Sequence, residues 1–316
     1  MMEFFAQKIM DALFNKKSRC HIDQYYYSFL LHLRKLMLKI CDPLVTYYFL
    51  GTQLLIPFSH NLPIFISSYP NYSINLGRIG KCVYQKYPSL KLIDIGANIG
   101  DSVVILRQFA FYPILCIEGS ANFYKLLSHN THNLQDVYLS NTFISCNNNF
   151  LHASLVIESG TARLQNGHTK IKVNSLDEVL IHYPMFLDSK MLKVDTDGMD
   201  GIILKGSLDF LNKTHPVIFF EYDPYFYKLC GDDGLSLFKN LRNIGYETAL
   251  VYNNFGEYFL SFRLDNTELI SDLNLYYTGW KGNKYFDICV FHEEDDDLAQ
   301  IIHSAEVNYY RKMKNA

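Results

Sequence analysis

Two pairs of carboxylates in this chain lie in or directly after apolar runs. Asp195 and Asp197 follow MLKV, and Glu221 and Asp223 follow VIFF. An unpaired carboxylate inside such a run is costly, so we interpret Asp195 and Glu221 as catalytic residues. Pairs on neighbouring strands can raise one pKa into the range of a general base, or hold a hard divalent cation together. The base is favoured, and a divalent metal with unassigned ligands is the alternative.

A glycine-containing loop follows the apolar run that holds Asp94. In LIDIGANIGDS, Gly96 and Gly100 allow a ligand and the next helix to approach the backbone. Asn98 tolerates the left-handed conformation that a middle glycine would otherwise take, and Asp101 opens the helix. The segment predicts the strand, turn and helix unit of nucleotide-binding folds.

The acidic residues around this loop indicate the charge of its ligand. Asp94, at the strand end, would repel the pyrophosphate of a dinucleotide but favour the ammonium and sulfonium of S-adenosylmethionine, directly or by holding the loop. Glu118 ends the next apolar run about 20 residues later, where an acid meets ribose hydroxyls. Its alternative role is an acid at a helix start, with Ser120 as the cap. The predicted cofactor-binding residues are Asp94, Gly96, Asn98, Gly100, Asp101 and Glu118.

Three further polar residues are weighed between a functional and a structural role. His60, held between prolines in PFSHNLP, is a candidate second base or acceptor-binding residue, although a lone histidine is usually structural. Lys193 alternates with Asp195 along a strand, so it either holds a carboxylate or is exposed. Asp200 is expected to cap the helix that starts at GIILKG.

These residues need a parallel sheet to bring them together. From about Leu90, short apolar runs alternate with helical stretches, which predicts a Rossmann-like, doubly wound α/β sheet of about seven strands with the last one antiparallel. The predicted strands are 91–95, 113–117, 137–145, 191–196, 216–222, 246–252 and 285–292. The segment 150–173 is predicted to be a hairpin at one edge.

The predicted domains are an N-terminal helical extension with a connector (1–75), the sheet domain (76–293) and a C-terminal tail helix (294–316). The extension is expected to cover or complete the acceptor pocket. Phe29, Leu33, Leu36 and Ile40 share one helix face, which needs a partner: the main domain or a second copy, making a homo-oligomer, with a membrane surface less favoured. Prolines between 51 and 72 predict an extended connector.

Composition excludes several classes of function. The formal net charge of -3 gives no basic footprint for nucleic acid. The seven scattered cysteines form no CxxC pair, so they predict reduced thiols rather than a zinc site. The N-terminus lacks the pattern of a secretory signal, and polar residues and prolines interrupt the most apolar stretch, 43–66. No membrane span and a cytoplasmic location are therefore expected.

The motifs together resemble the FkbM family of class I methyltransferases. DIGANIGDS, CIEG, SLDEVL and LKVDTDGMDGIILKGS occur in the family's order over about 90–292. Asp197 and Asp200 stand where glutamates are commoner in the family. The upstream PFSHNLP and FFEYDP are similar to a subgroup that accompanies surface-glycan genes. The resemblance implies the class I methyltransferase fold and O-methylation of a hydroxyl on a carbohydrate, in a polysaccharide or glycolipid precursor.

Other functions remain open on the sequence. A nicotinamide-dependent oxidoreductase uses the same kind of sheet, but Asp94 and the missing central glycine disfavour it. A non-catalytic interaction protein would retain the fold without turnover. N-methylation of an amino sugar would need only a weaker base.

Overall fold

The N-terminal extension contains a strand hairpin as well as helices. Its elements are α1 (Met2–Phe14), α2 (Gln24–Leu38), β1 (Leu44–Phe49), β2 (Thr52–Pro57), α3 (Leu62–Ser68) and α4 (Ile74–Lys86). The prediction of an extended connector is wrong, because β1 and β2 pair antiparallel through a turn at Leu50 and Gly51, both with positive φ. Pro57 ends a strand and Pro63 lies in the first turn of α3, where a missing N–H is tolerated.

The rest of the chain builds two sheets and the helices around them. The computed structural model describes residues 2–14, 24–158 and 160–314. Its further strands are β3 (Leu92–Ile95), β4 (Ile114–Ile117), β5 (Val137–Ser140), β6 (Phe143–Ile144), β7 (Asn149–Glu158), β8 (Thr161–Asn166), β9 (Thr169–Asn174), β10 (Met191–Val194), β11 (Val217–Tyr222), β12 (Tyr246–Asn253), β13 (Tyr258–Arg263) and β14 (Phe286–His292). Its further helices are α5 (Asp101–Arg107), α6 (Ala121–Thr131), α7 (Leu176–His182), α8 (Asp200–Gly206), α9 (Leu208–Thr214), α10 (Pro224–Leu229), α11 (Leu235–Asn243), α12 (Thr267–Thr278) and α13 (Asp296–Lys314).

The large sheet has the predicted doubly wound α/β architecture. Within the described residues its strand order is β13-β12-β14-β11-β10-β3-β4-β5. The strands from β11 to β5 run parallel, and β14 lies antiparallel between β11 and β12. The seven strands expected from the sequence are present, with one extra edge strand, β13. Both faces are buried: Leu92 packs on one face and Ile93 on the other, which explains the near-continuous apolar runs.

The segment after β5 forms a separate sheet. The predicted strand 137–145 is divided into β5 and β6, and β6 pairs with β9 instead of continuing the large sheet. The predicted hairpin is present as β7 and β8, but it lies in a four-stranded sheet of order β6-β9-β7-β8 and not at the edge of the large sheet. Its turn brings Gly160 and Thr161 to the carboxyl end of the large sheet.

The extension shares a core with the sheet domain, and most of the α2 face predicted to be covered is exposed. Ile9 and Leu13 of α1 pack in one cluster with Ile105 of α5 and Phe123 of α6. Of the predicted face, Leu33 is partly buried against this cluster.

The buried residues of α2 are Leu30, Arg34 and Met37. Phe29 and Leu36 are 58% and 44% exposed, and Ile40, just beyond the helix, is 79% exposed. No helix among the described residues has the length and apolar character needed to cross a membrane. The domain boundaries at 75 and 293 stay predictions.

Candidate functional site

A cavity opens at the carboxyl ends of the parallel strands, where the strand order reverses. β4 lies on one side of β3 and β10 on the other, so the loops after them diverge and leave a crevice. Among the described residues, its ionisable side chains other than tyrosines are His60, Asp101, Glu118, Lys193, Asp195, Asp197, Glu221 and Asp287. Six carboxylates therefore face one lysine and one histidine, an arrangement that favours a cationic ligand.

The loop between β3 and α5 has the backbone geometry expected from its residues. Gly96, Asn98 and Gly100 have φ values of 80°, 47° and 89°, so Asn98 does take the left-handed conformation. A Cβ at Gly96 would overlap the carbonyl oxygen of Asp195, so only glycine lets this loop lie against the end of β10. Gly96 and Asn98 both line the cavity.

Asp94 lies beneath the cavity rather than in it. Its side chain is fully buried, and Lys193 Nζ lies 3.0 Å from its Oδ1. The Ser102 hydroxyl, in the first turn of α5, donates a hydrogen bond to its other oxygen. Because its side chain is buried, this geometry does not favour direct contact between Asp94 and a ligand. The observed partners agree with the other expectation, in which the carboxylate holds the loop.

Glu118 faces the cavity and fastens two loops to each other. Its Oε2 accepts from the Asn98 backbone N–H at 2.9 Å and its Oε1 from that of Ser120 at 2.7 Å. Burial raises the pKa of Glu118 to about 7 against these two hydrogen bonds. Each oxygen keeps a lone pair that can accept from a ligand hydroxyl. Ser120 begins α6 without a side-chain cap bond, so Glu118 supports this helix start as well.

Asp195 and Lys193 link the cavity to the buried Asp94. Lys193 Nζ lies 3.2 Å from Asp195 Oδ2, so one ammonium bridges two carboxylates. The Asp195 side chain is 47% exposed, which corrects the expectation that burial makes its charge costly. It follows the last residue of β10, where side chains project into the cavity instead of the core.

Glu221 lies directly opposite a carboxylate that the sequence analysis did not single out. Asp287 on β14 is its cross-strand partner, and both side chains line the cavity. Burial, and then Asp197 and Asp195, raise the pKa of Glu221 well above its usual value. Burial and Asp195 do the same for the pKa of Asp287. The run FDICVFH carried the signal, because Asp287 interrupts an apolar strand just as Glu221 does.

The neighbouring aspartates have different roles. Burial and Asp195 raise the pKa of Asp197, which lines the cavity at a φ of 52°, to about 7. Asp200 is fully buried and accepts from the backbone N–H groups of Thr196 and Gly198, so it holds the loop before α8. The expectation that it caps this helix is wrong, because the helix start has no side-chain cap bond. Asp223 does not join Glu221 in the cavity; it caps α10 through the N–H groups of Tyr225 and Phe226.

His60 reaches the cavity from the extension. Its Nδ1 accepts the Leu62 backbone N–H at 3.1 Å, so the ring proton lies on Nε2, beside Asn98. Nε2 makes no hydrogen bond of good geometry with the described residues. Burial lowers the pKa of His60 to about 4, so the ring is neutral near pH 7. Leu62, Phe65 and Tyr72 also line the cavity, so the connector completes it, whereas α1 and α2 do not reach it.

The carboxylates of the cavity do not converge on a common point suited to an ion. In the described part of the chain, the one group with three ligand atoms within 4.8 Å of one another is His215, His292 and Glu294. It lies at the amino ends of the parallel strands, away from the cavity, because His215 precedes β11 and His292 ends the antiparallel β14. The divalent metal in the cavity thus gains no support from the geometry.

Comparison with known proteins yields structures but no sequence relatives. No protein-family model matches the chain, and no curated protein matches it at a significant level. One similar solved structure is the methyltransferase FkbM from Methylobacillus flagellatus, at 14% identity and a TM-score of 0.36, covering 78% of this chain and 55% of that one. Another is an O-methyltransferase from Bacillus cereus in complex with S-adenosylhomocysteine, at 10% identity and a TM-score of 0.37, covering 69% and 80%. A third is a precorrin-6y C5,15-methyltransferase from Geobacter metallireducens, at 13% identity and a TM-score of 0.37, covering 65% and 80%.

The strand order of the chain itself carries the fold assignment. Parallel strands β5, β4, β3, β10 and β11, followed by the antiparallel β14 inserted before β12, are the arrangement that the sequence resemblance implies. This chain therefore has the doubly wound α/β fold of class I methyltransferases, with an N-terminal extension.

Proposed function

We propose that this protein is an S-adenosylmethionine-dependent O-methyltransferase that acts on a hydroxyl of a carbohydrate, in a surface polysaccharide or glycolipid precursor. One observation carries the proposal: six carboxylates line a cavity at the switch point of the sheet, with Glu118 at the end of β4. Such a cavity favours a cationic cofactor over a dinucleotide. The carbohydrate acceptor is supported by the sequence resemblance to the FkbM family.

The residues at the head of β3 fit the parts of this cofactor. Glu118 offers a free lone pair on each oxygen to the two ribose hydroxyls. Asn98 donates Nδ2–H to the Gly160 carbonyl oxygen, and its buried Oδ1, near His60, can accept from a ligand. That oxygen and the carboxylate of Asp101 suit the ammonium of the methionine moiety. Gly96 and Gly100 carry no side chain that would project from the loop towards the cofactor. The buried Asp94 lies beneath the loop and holds it in place.

The cofactor, when bound, supplies a methyl group on a positively charged sulfur. The chain must align an acceptor oxygen with that methyl group and take its proton. Glu221 and Asp287 lie opposite each other on neighbouring strands, and both line the cavity. We assign Glu221 as the general base, because burial and then the nearby carboxylate of Asp197 raise its pKa. Asp195, which is paired with Lys193, can accept a hydrogen bond from a second hydroxyl of the methyl acceptor.

His60 suits a different role from the second base expected. With the proton on Nε2, the neutral ring donates a hydrogen bond and cannot accept a proton at that atom. We propose that it binds an oxygen of the acceptor. N-methylation of an amino sugar is the second candidate, since an ammonium also suits the acidic cavity. A non-catalytic protein would bind cofactor without turnover.

The first test is calorimetry with S-adenosylhomocysteine and, separately, with NADH. Binding of the former alone supports the proposal, whereas binding of NADH alone points to the oxidoreductase. A radiolabelled methyl-transfer screen against nucleotide sugars, amino sugars and capsule fragments then seeks the acceptor, with and without chelator. Transfer to nitrogen would favour the second candidate, and loss of transfer in chelator would indicate that the reaction needs a divalent metal. Cofactor binding without transfer to any class would overturn the enzymatic assignment.

A further inference from the structure

One face of the N-terminal helices is apolar and uncovered in the described part of the chain. In α2, Phe29 is 58% exposed and Leu36 44%, and Ile40 just beyond is 79% exposed. Tyr26, stacked beside Phe29, is half-exposed. In α1, Phe4 is 68% and Phe5 49% exposed. The N-terminal apolar surface consists of Phe4, Phe5, Tyr26, Phe29, Leu36 and Ile40. Surfaces of this kind mark an interaction site.

Exposed lysines lie beside the apolar stripe of α2. This helix contains no acidic residue, and Lys35 on it and Lys39 just beyond it are exposed. α1 contributes exposed Lys8 and exposed Glu3, and Asp42 beyond α2 is also exposed. In the sequence, the first 50 residues hold seven lysines and arginines against four acids, while the remainder holds 22 against 28. The formal charge is therefore positive over the first 50 residues and negative over the rest, and the described lysines of this first segment lie mostly at α2.

This charge distribution distinguishes between two candidate partners for the surface, a second copy of the chain and an anionic membrane. A second copy docked on the same face would bring Lys35 and Lys39 of both copies into one interface, where α2 offers no acid to pair with them and α1 offers Glu3. A bilayer with anionic headgroups offers the opposite charge, together with an apolar layer for the aromatic and aliphatic side chains. Phenylalanine and tyrosine next to lysine are the composition of interfacial segments. No described helix can span the bilayer, so α1 and α2 would lie on it.

We propose that the N-terminal apolar surface docks this protein on anionic membranes. The inference goes beyond the methyltransferase function and does not depend on it. The chain runs from α2 through the β1–β2 hairpin to His60 and Leu62, which line the cavity. The docking helices are thus joined through one short segment to the wall of the site.

The test is sedimentation of the full chain with vesicles of phosphatidylcholine alone, or with about one part in four phosphatidylglycerol. Wild type should bind the anionic vesicles and release them as salt rises from about 0.1 M to 0.5 M. The variant Phe29→Gln/Leu36→Gln/Ile40→Gln should lose at least about tenfold in affinity. Its matched control is Ile181→Gln/Leu275→Gln/Ile301→Gln, at helix positions 68%, 76% and 54% exposed, which should bind like wild type.

A second pair of variants tests the charge. Lys35→Gln/Lys39→Gln should weaken binding to anionic vesicles by up to about 30-fold, whereas exposed Lys213→Gln/Lys239→Gln should not. Melting temperature and affinity for S-adenosylhomocysteine are measured on every variant, so that a folding defect or a failed cofactor assignment is seen separately. Wild type that binds neither vesicle overturns the proposal. So does a dimer in light scattering that only the α2 triple variant dissociates, because a second copy then covers the surface.

Discussion

At the scale of single residues, two aspartates that lie two positions apart in the register of neighbouring strands have different functions. Asp94 and Asp195 both contact Lys193, yet Asp94 is fully buried and Asp195 is half-exposed. Asp94 lies within β3, whose faces are both covered, whereas Asp195 follows the last residue of β10. Buried Asp94 needs its partner for stability, and exposed Asp195 keeps an oxygen available for a ligand.

The carboxylates around Glu221 predict a characteristic pH profile. Glu221→Gln should lower kcat by about 10²–10⁴-fold and leave the affinity for S-adenosylhomocysteine unchanged, because it removes a base and no cofactor contact. Asp197→Asn removes the carboxylate that, after burial, contributes most to the raised Glu221 pKa, so this pKa falls and the rise of kcat moves to lower pH. Exposed Glu268→Gln is the control. An unshifted profile in Asp197→Asn would contradict this electrostatic coupling.

Glu118 predicts a pH-dependent affinity for the cofactor product. Its raised pKa of about 7 means that ribose hydroxyls, which prefer the ionised carboxylate, must displace a proton below that pH. Affinity for S-adenosylhomocysteine should therefore rise from about pH 6 to pH 8, when followed by calorimetry. Glu118→Gln should bind about 10- to 100-fold more weakly at pH 8 and show a flatter profile. Unchanged affinity in this variant would remove Glu118 from the site.

At the scale of elements, one lysine joins the two central strands, because Lys193 of β10 pairs with Asp94 of β3. Lys193→Met leaves the buried Asp94 carboxylate without its cation, which should cost about 3–5 kcal/mol of unfolding free energy in urea titrations. Adding Asp94→Asn should recover much of this loss, because no charge is then buried. Lys190→Met, which loses a hydrogen bond to the Thr214 carbonyl oxygen and a contact with the Tyr87 ring but no buried ion pair, is the control. Equal losses in Lys193→Met and Lys190→Met would refute the bridge.

The contact between the cofactor loop and β10 can be tested with two glycines of nearly equal backbone angle. Gly96 has a φ of 80° and its added Cβ would overlap the Asp195 carbonyl oxygen; Gly231 has a φ of 83° and open space around it. Gly231→Ala should cost about 1 kcal/mol from strain alone. Gly96→Ala should cost several kcal/mol and weaken cofactor binding, because the loop must move away from β10. Urea titration and calorimetry measure both effects, and identical costs would exclude the steric explanation.

At the scale of the whole molecule, the buried carboxyls predict an unusual dependence of stability on pH. Burial raises the pKa of Asp101 to about 6, and those of Glu118, Asp197 and Asp200 to about 7. Between their unfolded values and these values the folded protein binds more protons than the unfolded chain, so stability falls as pH rises from about 4 to 7. His60 acts oppositely, since stability from its lowered pKa is lost as pH falls from about 6.5 to 4.

The four carboxyls outnumber this histidine, so the unfolding free energy of the free protein should decrease from about pH 5 to pH 8. Urea denaturation at several pH values measures it. Glu118→Gln removes one of the carboxyls and should flatten the slope. A free energy that rises steadily over the same range would mean that the cavity carboxyls have ordinary pKa values in the folded protein.

Local patterns in the sequence determined the architecture of the large sheet. Apolar runs such as 114–117 and 191–194 are buried on both faces, so their composition alone indicated a parallel sheet with helices on both sides. The left-handed Asn98 and the loop around Gly96 were likewise predictable, because backbone conformation there depends on residue type. The β1–β2 hairpin was missed because prolines at element boundaries resemble prolines that break elements.

Only the tertiary structure decided which carboxylates face one another. Asp287 lies 66 positions after Glu221 along the chain, and only the insertion of β14 beside β11 makes them neighbours. The pairing of β10 with β3 likewise placed Lys193 next to Asp94. Periodicity reports which residues are apolar, but it does not report strand register, and register determines which charges meet. The apolar face of α2 was predictable from the sequence, but the exposure of Phe29 and Leu36 was not, because it depends on which elements pack against the helix.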